Sequence, residues 1–193
     1  MAEKKYTPMM QHYLKMKEEN PDSILFYRLG DFYEMFFEDA KLVSQELDLV
    51  LTGRSAGVEE KVPMCGIPFH AANSYIQRLV KKGYKVAICE QLEDPSSAKG
   101  LVDRGIIKII TPGTYMDATM DAKSTNYMAS CDVSSFEITV IYCELSTGEL
   151  KYQTLQRSLV ALQKALLEQN VSELVCPMTM DKKWMAALEE MDT

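Results

Sequence analysis

Gly30-Asp31-Phe32-Tyr33-Glu34-Met35-Phe36 is the stretch around which the rest of the chain can be arranged. It follows the apolar run 24–27. After it, apolar residues recur at steps of four, four, three and four, at Phe32, Phe36, Ala40, Val43 and Leu47. That spacing is typical of one face of a helix. Asp31 and Glu34 have the spacing of a capping box. The pattern therefore predicts a buried strand, a glycine turn and a helix that begins at the turn.

The first part of the chain alternates helices with strands. Thr7 and Pro8 are a typical N-cap and first helical residue, so we expect a helix from Thr7 that ends near Asn20. The other predicted elements are strands at 23–29, 49–52, 84–89 and 105–111 and a helix at 70–82 that Gly83 ends. Loops or turns are expected at 53–62, at 94–97 and between Pro63 and Pro68. This order predicts an α/β domain with a mixed sheet.

The second part of the chain has a different pattern. Three predicted strands at 126–132, 136–145 and 148–155 are joined by short turns and indicate an antiparallel meander. A helix at 159–168, a strand at 173–176 and a helix at 181–191 follow. Residues 115–124 have no periodicity, so we predict a domain at 1–114, a linker at 115–124 and a second domain at 125–193.

Composition excludes several classes of protein. A hydrophobic content of 47% favours a folded core over disorder. Five cysteines without a C-x-x-C pair indicate a reduced, cytoplasmic protein, and the absence of a long apolar run predicts a soluble, unprocessed chain without membrane spans. The net charge of −7 is unfavourable for binding phosphates. Residues 1–113 carry 15 basic and 16 acidic side chains, whereas 114–193 carry 6 and 12, so any DNA contact is expected in the first part.

The usual signatures of catalysis and metal binding are missing from the sequence. His12 and His70 are the only histidines, and no Cys/His cluster has metal-ligand spacing. Cys65 and His70 lie five residues apart around prolines, which is no known nucleophile arrangement. No glycine-rich phosphate loop of the G-x-x-x-x-G-K-[ST] type is present. We therefore expect no catalytic residue, metal or cofactor in this chain.

Further stretches carry a resemblance to a known family: Leu51-Thr52-Gly53-Arg54, Pro63-Met64-Cys65-Gly66-Ile67-Pro68-Phe69-His70-Ala71, Val86-Ala87-Ile88-Cys89-Glu90-Gln91 and Thr111-Pro112-Gly113-Thr114. Together with residues 30–36, these stretches resemble the N-terminal mismatch-recognition domain of the MutS family of bacterial DNA mismatch-repair proteins, followed by the start of its connector domain. The resemblance covers nearly the whole chain and is densest at 7–114. It implies an α/β (α+β) mixed-sheet domain and part of a ribonuclease-H-like domain.

The resemblance also implies a function and partners. The chain would be a non-enzymatic fragment of a cytoplasmic, nucleoid-associated protein that binds mismatched double-stranded DNA as a dimer and contacts MutL. ATP and Mg²⁺ would bind in a C-terminal ATPase domain beyond this fragment. Because the connector domain normally runs on past this length, the chain is expected to be incomplete. The isolated fragment is expected to bind DNA weakly or not measurably.

The family's mismatch reader maps onto the opening stretch. By resemblance, Phe32 wedges into the minor groove and stacks on a mispaired base, and Glu34 hydrogen-bonds to that base, with Asp31 beside them in the motif. Met64, Gly66 and Pro68 would form a rigid loop that approaches the groove. Phosphate or sugar contacts are expected from Arg54, His70 and Asn73, with an ordinary surface position as the alternative for each of them.

Without the resemblance, other interpretations stay open. Phe32 would then belong to the core stripe of a helix and Glu34 to its cap. A second alternative is a small α/β enzyme in which Asp31 and Glu34 act as acid and base, and a third is a protein-interaction module without DNA contact. Exposure of the Phe32 side chain separates a DNA reader from the core-stripe and enzyme interpretations, because a reader has to project the ring, whereas an enzyme would bury it beside a pocket.

Overall fold

The computed structural model of the protein describes residues 6–93, 102–116 and 125–190. The chain forms two compact units, Met1–Thr111 and Pro112–Thr193. The turn predicted at 94–97 and residues 117–124 of the predicted linker lie outside the described residues.

The first unit is built on a six-stranded sheet. Its elements in chain order are α1 Pro8–Glu19, β1 Ser23–Leu29, β2 Phe32–Phe36, α2 Phe37–Leu47, β3 Thr52–Arg54, β4 Val62–Pro68, a 3₁₀ turn Phe69–Ala71, α3 Ala72–Val80, β5 Lys85–Gln91 and β6 Arg104–Ile110. The strand order is β3-β4-β2-β1-β5-β6. Strands β1 and β5 are parallel and the other neighbours are antiparallel, so the predicted mixed sheet is confirmed.

Helix α1 covers one face of this sheet. Thr7 caps it as predicted, accepting a hydrogen bond from the backbone N–H of Met10, and Pro8 is its first residue. The ring of Tyr13 packs edge-on against Phe36, with 4.9 Å between centroids, and the same ring contacts Tyr27. Because burial of large aromatic side chains is strongly favourable, this contact fixes α1 over β1 and β2.

Helices α2 and α3 lie on the opposite face. Residues alternate between the two faces of a strand, so Met35 and Cys65 point away from α1. The Cys65 thiol donates a hydrogen bond to the carbonyl oxygen of Ala40 in α2, at 3.4 Å. Helix α3 packs against α2 and β5 through buried Ile76 and Leu79. The sheet is therefore sandwiched between α1 on one face and α2 with α3 on the other.

The predicted helix start at Asp31 is wrong. Residues 32–36 form β2, and α2 begins only at Phe37. Gly30 has a φ of +57°, which glycine adopts without strain, and with Asp31 it turns the chain into an antiparallel hairpin. The step of four between Phe32 and Phe36 fits one face of a strand as well as one face of a helix. The predicted capping box does not form: the N-cap of α2 is Phe36, which makes no side-chain capping bond.

Two other predictions for the first unit are also wrong. The strand predicted at 49–52 begins only at Thr52, and it continues to Arg54 in the predicted loop. The stretch between Pro63 and Pro68, predicted as a loop, belongs to β4. Proline lacks the N–H that a ladder needs, but these two prolines lie near the ends of the strand, where that loss is tolerated. The interior of β4 keeps its pairing with β2.

The second unit contains a four-stranded sheet. Its elements are β7 Tyr127–Val133, β8 Glu137–Glu144, β9 Glu149–Gln156, α4 Leu159–Glu168, β10 Val171–Val175 and α5 Lys182–Glu189. The strand order is β10-β7-β8-β9, with β10 parallel to β7, so the predicted antiparallel meander is confirmed. Its core joins strand residues such as Ile138 and Tyr142 to Leu162 of α4 and Leu188 of α5. In the parts of the chain that the structure describes, no helix has the length and apolar character needed to cross a bilayer.

The turn after β8 generates a pH-dependent contribution to stability. The Glu144 carboxylate accepts hydrogen bonds from the Thr147 and Ser146 hydroxyls, at 2.6 and 2.9 Å. These bonds lower the pKa of Glu144 from 4.5 to about 2. The folded state therefore binds the proton more weakly than the unfolded chain, and the stabilisation is complete above pH 4.5 and lost as the pH falls towards 2. We expect Glu144→Gln to flatten the dependence of unfolding free energy on pH in this window.

Urea unfolding at a series of pH values, followed by the fluorescence of Trp184, measures this effect. Trp184 is the only tryptophan of the chain and packs in the second unit. Glu137→Gln is the matched control, because it removes an exposed carboxylate from the same strand. Equal pH dependence of Glu144→Gln and the unchanged protein would contradict this account of the turn.

Candidate nucleic-acid interface

Phe32 is an exposed aromatic residue on the face of the sheet that α1 covers in part. Phe32 is 46% exposed, whereas Phe36, on the same face of β2, is fully buried. Helix α1 packs against Phe36 at the end of β2. Phe32 lies four residues earlier, at the start of the strand, about 13 Å away. The ring therefore stands where α1 no longer covers the sheet. It immediately follows the two-residue turn Gly30-Asp31.

Pairing between β2 and β4 assembles the rest of this surface. Phe32 pairs with Pro68, and Glu34 pairs with Gly66. Residues directly opposite each other in an antiparallel ladder project to the same face. Phe32, Glu34, Gly66 and Pro68 therefore form one patch, which we name the β2–β4 surface. Met64, the third residue predicted in this segment, pairs with Phe36 and packs against the core beneath α1.

Gly66 leaves space on the β2–β4 surface. A Cβ atom at this position would lie 3.5 Å from Cγ of Glu34 and 4.0 Å from Cδ1 of Phe32, which are ordinary contact distances. The backbone of Gly66 also needs no left-handed conformation. The fold therefore tolerates a side chain at this position, and the absence of one keeps the backbone open to approach from outside.

Glu34 forms an ion pair with Arg54. The carboxylate accepts a hydrogen bond from Nη1 of Arg54, which reaches across from β3 past Phe36. The side chain of Glu34 is 15% exposed and that of Arg54 is 36% exposed, so solvent reaches the guanidinium more readily than the carboxylate. The charge of Glu34 is thus matched by a cation within the same sheet.

A second polar cluster fixes the hairpin from the opposite face. The guanidinium of Arg28 stacks on the ring of Phe69 at 3.7 Å and forms an ion pair with Glu90 at 3.2 Å. The hydroxyl of Tyr33 also donates to Glu90, and the backbone N–H of Phe69 donates to the carbonyl oxygen of Asp31. Burial, followed by the bond to Glu90, raises the pKa of Tyr33 to about 12. These contacts immobilise the turn that carries Phe32.

Sequence reasoning missed Arg28, Phe69 and Glu90. Arg28 and Glu90 are 62 positions apart, and only the parallel pairing of β1 with β5 brings them together. The proximity of Phe69 to the opening stretch is equally a product of strand pairing. A signal in the local sequence could not have revealed these contacts.

Three other predicted site residues lie outside the strand ladder of the β2–β4 surface. Asp31 is exposed in the turn before Phe32. His70 is exposed in the 3₁₀ turn that follows Pro68, with its ring 5.9 Å from that of Phe69. Asn73 is exposed in the first turn of α3. The strand ladder thus unites Phe32, Glu34, Gly66 and Pro68, but it does not include Asp31, His70 or Asn73.

Cys65 is a structural thiol. It is buried on the α2 face of β4, and burial raises its pKa to about 12. A protonated, buried thiol is a poor nucleophile. His12 makes a hydrogen-bond contact with the hydroxyl of Tyr27, with 3.0 Å between Nδ1 and the oxygen. Among the described residues, no group of three or more His, Cys, Asp or Glu side chains is arranged to hold a metal ion.

Comparison with known proteins identifies relatives of the chain. Residues 7–119 match the family described as MutS domain I. The DNA mismatch repair protein MutS of Clostridium botulinum (strain Loch Maree / Type A3) is 54% identical over 177 residues, covering 86% of this chain and 19% of that protein. The DNA mismatch repair protein MutS of Clostridium tetani (strain Massachusetts / E88) is 58% identical over 146 residues, covering 75% of this chain and 17% of that protein. The chain thus spans about a fifth of the length of these relatives.

Substitution of Gly66 tests whether the open space serves the fold. We expect Gly66→Ala to leave the free energy of unfolding unchanged or to raise it by up to about 1 kcal/mol, because alanine restricts the unfolded chain. Gly53→Ala in β3 is the matched control, since its Cβ would lie only 2.9 Å from Cβ of Lys61. That crowding is expected to cost about 1 kcal/mol. Urea denaturation measures both variants, and a clear loss of stability in Gly66→Ala would show that the fold itself requires this glycine.

Proposed function

This chain belongs to the MutS domain I family, and from that premise we propose that the β2–β4 surface recognises mispaired or unpaired bases in duplex DNA. The observation that carries the proposal is the exposed ring of Phe32 on a hairpin whose turn is fixed from the opposite face. A rigid, projecting aromatic ring is the feature that a wedge requires. It also argues against the alternative in which Phe32 belongs to a helical core stripe.

Phe32 is proposed as the wedge. Inserting an apolar side chain between base pairs unstacks them at a cost of roughly a few kcal/mol, and the cost is smaller where pairing is already faulty. Stacking of a base on an aromatic ring recovers about 1–3 kcal/mol whatever the base. Phe32 would therefore bind many different mismatches in preference to intact duplex.

Glu34 is proposed to contact the mispaired base. A carboxylate in the groove is repelled by the phosphates unless it gains a hydrogen-bond donor. A displaced base offers such a donor, whereas a base in an intact pair has its pairing groups occupied. Glu34 would therefore weaken binding to matched duplex more than binding to mismatched duplex.

The neighbouring residues are proposed to position the duplex. Gly66 and Pro68 would let the backbone of β4 approach the groove, and Met64 would support them from the core side. Among the remaining candidates, Arg54, His70 and Asn73 would contact phosphate or sugar, which positions a protein without reading sequence. Asp31 would lie at the edge of the contact, in the turn before the wedge.

We further propose that the chain is the N-terminal part of a longer mismatch-repair protein. Residues 1–114 would be the mismatch-recognition domain, 115–124 a linker and 125–193 the start of a ribonuclease-H-like connector domain. The complete protein would act as a cytoplasmic, nucleoid-associated dimer with MutL as a partner, and ATP and Mg²⁺ would bind outside this chain. The fragment alone should bind DNA weakly, since residues 1–113 carry nearly equal numbers of acidic and basic side chains.

One observation favours protein interaction for the second unit. Ile141 and Tyr152 pair across β8 and β9 on an exposed face of its sheet, and residues 114–193 are strongly acidic. Exposed apolar side chains on a sheet face are a feature of protein contact surfaces. An interaction role without direct DNA contact is therefore the second candidate, and it applies to this unit rather than to the first.

Removing the ring of Phe32 tests the first proposal. In the complete protein, we expect Phe32→Ala to lower affinity for a duplex with one G·T mismatch by about 5- to 150-fold, because about 1–3 kcal/mol of stacking is lost. Affinity for the matched duplex should change much less. Fluorescence anisotropy titrations of both duplexes at one salt concentration measure the preference, and the 193-residue chain can be titrated in parallel.

Phe136→Ala is the matched control, because it removes a phenylalanine that is 89% exposed in the second unit. The control should keep the mismatch preference of the unchanged protein. Phe32→Ala with its preference intact would overturn the proposed role of the ring.

Removing the carboxylate of Glu34 tests discrimination. We expect Glu34→Ala to raise affinity for matched duplex several-fold and to narrow the ratio between the two duplexes, because the carboxylate that opposes the phosphates and pairs with Arg54 is removed. Glu60→Ala removes an exposed acidic side chain from the loop between β3 and β4 and controls for net charge. An unchanged ratio in Glu34→Ala, or an equal change in Glu60→Ala, would contradict the role of Glu34.

A further inference from the structure

We infer that Arg54 couples base recognition to phosphate binding: Glu34 retains Arg54 on matched duplex and releases it when a mispaired base becomes the hydrogen-bond partner of Glu34. This inference rests on the proposed function of the β2–β4 surface and deepens it. Arg54 thereby becomes a residue that determines specificity, in addition to a contact that adds affinity.

The ion pair between Glu34 and Arg54 is the basis of the inference. Both partners have solvent-facing atoms on the β2–β4 side of the sheet, and each is engaged with the other. Separating such a pair without new partners leaves two partly desolvated charges, which is unfavourable. Arg54 is therefore expected to leave Glu34 for a phosphate only when Glu34 is satisfied by another donor.

Matched and mismatched duplexes differ in the donor that they offer to Glu34. In matched duplex, the Watson–Crick donors of the bases are engaged in pairing, so none of them is available to replace Arg54 as the partner of Glu34. A mispaired base displaced by Phe32 presents a free donor, and Glu34 can exchange Arg54 for that base. The released guanidinium is permanently charged and has a planar array of donors that suits a phosphate.

The second arginine near the hairpin does not share this arrangement. Arg28 is paired with Glu90 on the opposite face of the sheet, and its guanidinium is stacked on Phe69. Its acidic partner therefore does not lie on the surface that carries Phe32 and Glu34. Release by a base is consequently expected for Arg54 and not for Arg28.

The coupling predicts a difference in salt dependence. Each phosphate contact on duplex DNA adds about 0.9 to the slope of log affinity against log salt concentration. The slope for mismatched duplex should therefore be steeper than the slope for matched duplex by about 0.9. An arginine that binds phosphate independently of Glu34 would give both duplexes the same slope.

Titrations of the complete protein against G·T and matched duplexes, in salt between about 50 and 200 mM, measure the two slopes. We expect Arg54→Met to remove the difference by lowering the mismatched slope. Glu34→Gln should also remove it, but by raising the matched slope, because Arg54 is then free on both duplexes. Arg54→Lys keeps the charge and should retain most of the difference.

Arg78→Met is the matched control, since Arg78 is an exposed arginine on α3 outside the proposed site. It should leave the difference between the slopes unchanged. Thermal unfolding verifies that each variant is folded, and Arg54→Lys keeps the test valid if Arg54→Met is unstable.

Two outcomes separate this inference from the proposed function. If Phe32→Ala abolishes mismatch preference but the unchanged protein has equal slopes on both duplexes, the coupling of Arg54 to base recognition is overturned. The proposed role of Phe32 as the wedge is then retained. If Phe32→Ala keeps the preference, the proposed function itself is overturned. A slope difference that persists in Arg54→Met would assign the extra contact to another residue and would also overturn the coupling.

Discussion

The register of the hairpin between β1 and β2 is the constraint on which the site depends. Leu29 pairs with Phe32 and Tyr27 pairs with Glu34, so Phe32 and Glu34 share the face that α1 covers only in part. A slip by one residue would transfer both side chains to the face packed against α2. Gly30, with its positive φ, and the buried alternation of Tyr33 and Met35 hold the register. The exposed ring is thus a consequence of packing on the other side of the same strand.

The ion pairs on the two faces of the hairpin have different effects. On the α2 face, Arg28 is half-enclosed by Phe69 and paired with Glu90, and this cluster stiffens the turn. On the α1 face, Arg54 is more exposed than its partner Glu34 and borders an open surface. A pair held by neighbouring rings stabilises a structure, whereas a pair whose cation is open to solvent can exchange partners. The hairpin is therefore rigid in its backbone and adaptable in the charges that it presents.

Local patterns in the sequence predicted much of the architecture. The bounds of β1, the Thr7 cap of α1 and the bounds of α4 agree with the prediction, because each depends on short-range signals. The helix predicted at Asp31 failed because a step of four does not distinguish a strand from a helix. Strand β4 was not predicted because it contains two prolines. Whether a proline disrupts a strand depends on its position in the hydrogen-bond ladder. Family resemblance singled out Phe32 and Glu34, but the pairing of Glu34 with Arg54 depends on the order of three strands.

The nearly balanced charge of the first part of the chain is compatible with the proposed recognition of mismatches. Overall affinity for DNA and preference for a mismatched duplex have different physical sources. Phosphate contacts strengthen binding to every duplex alike, so a strongly basic surface would retain the protein on the great excess of matched DNA. Residues 1–113 carry no excess of basic side chains, and Arg54 is neutralised by Glu34. In the proposed function, mismatch preference then comes from contacts that a faulty pair alone allows, namely stacking on Phe32 and a donor for Glu34. Releasing a cation at that moment would add electrostatic attraction where it favours the mismatch, which a permanently exposed arginine could not do.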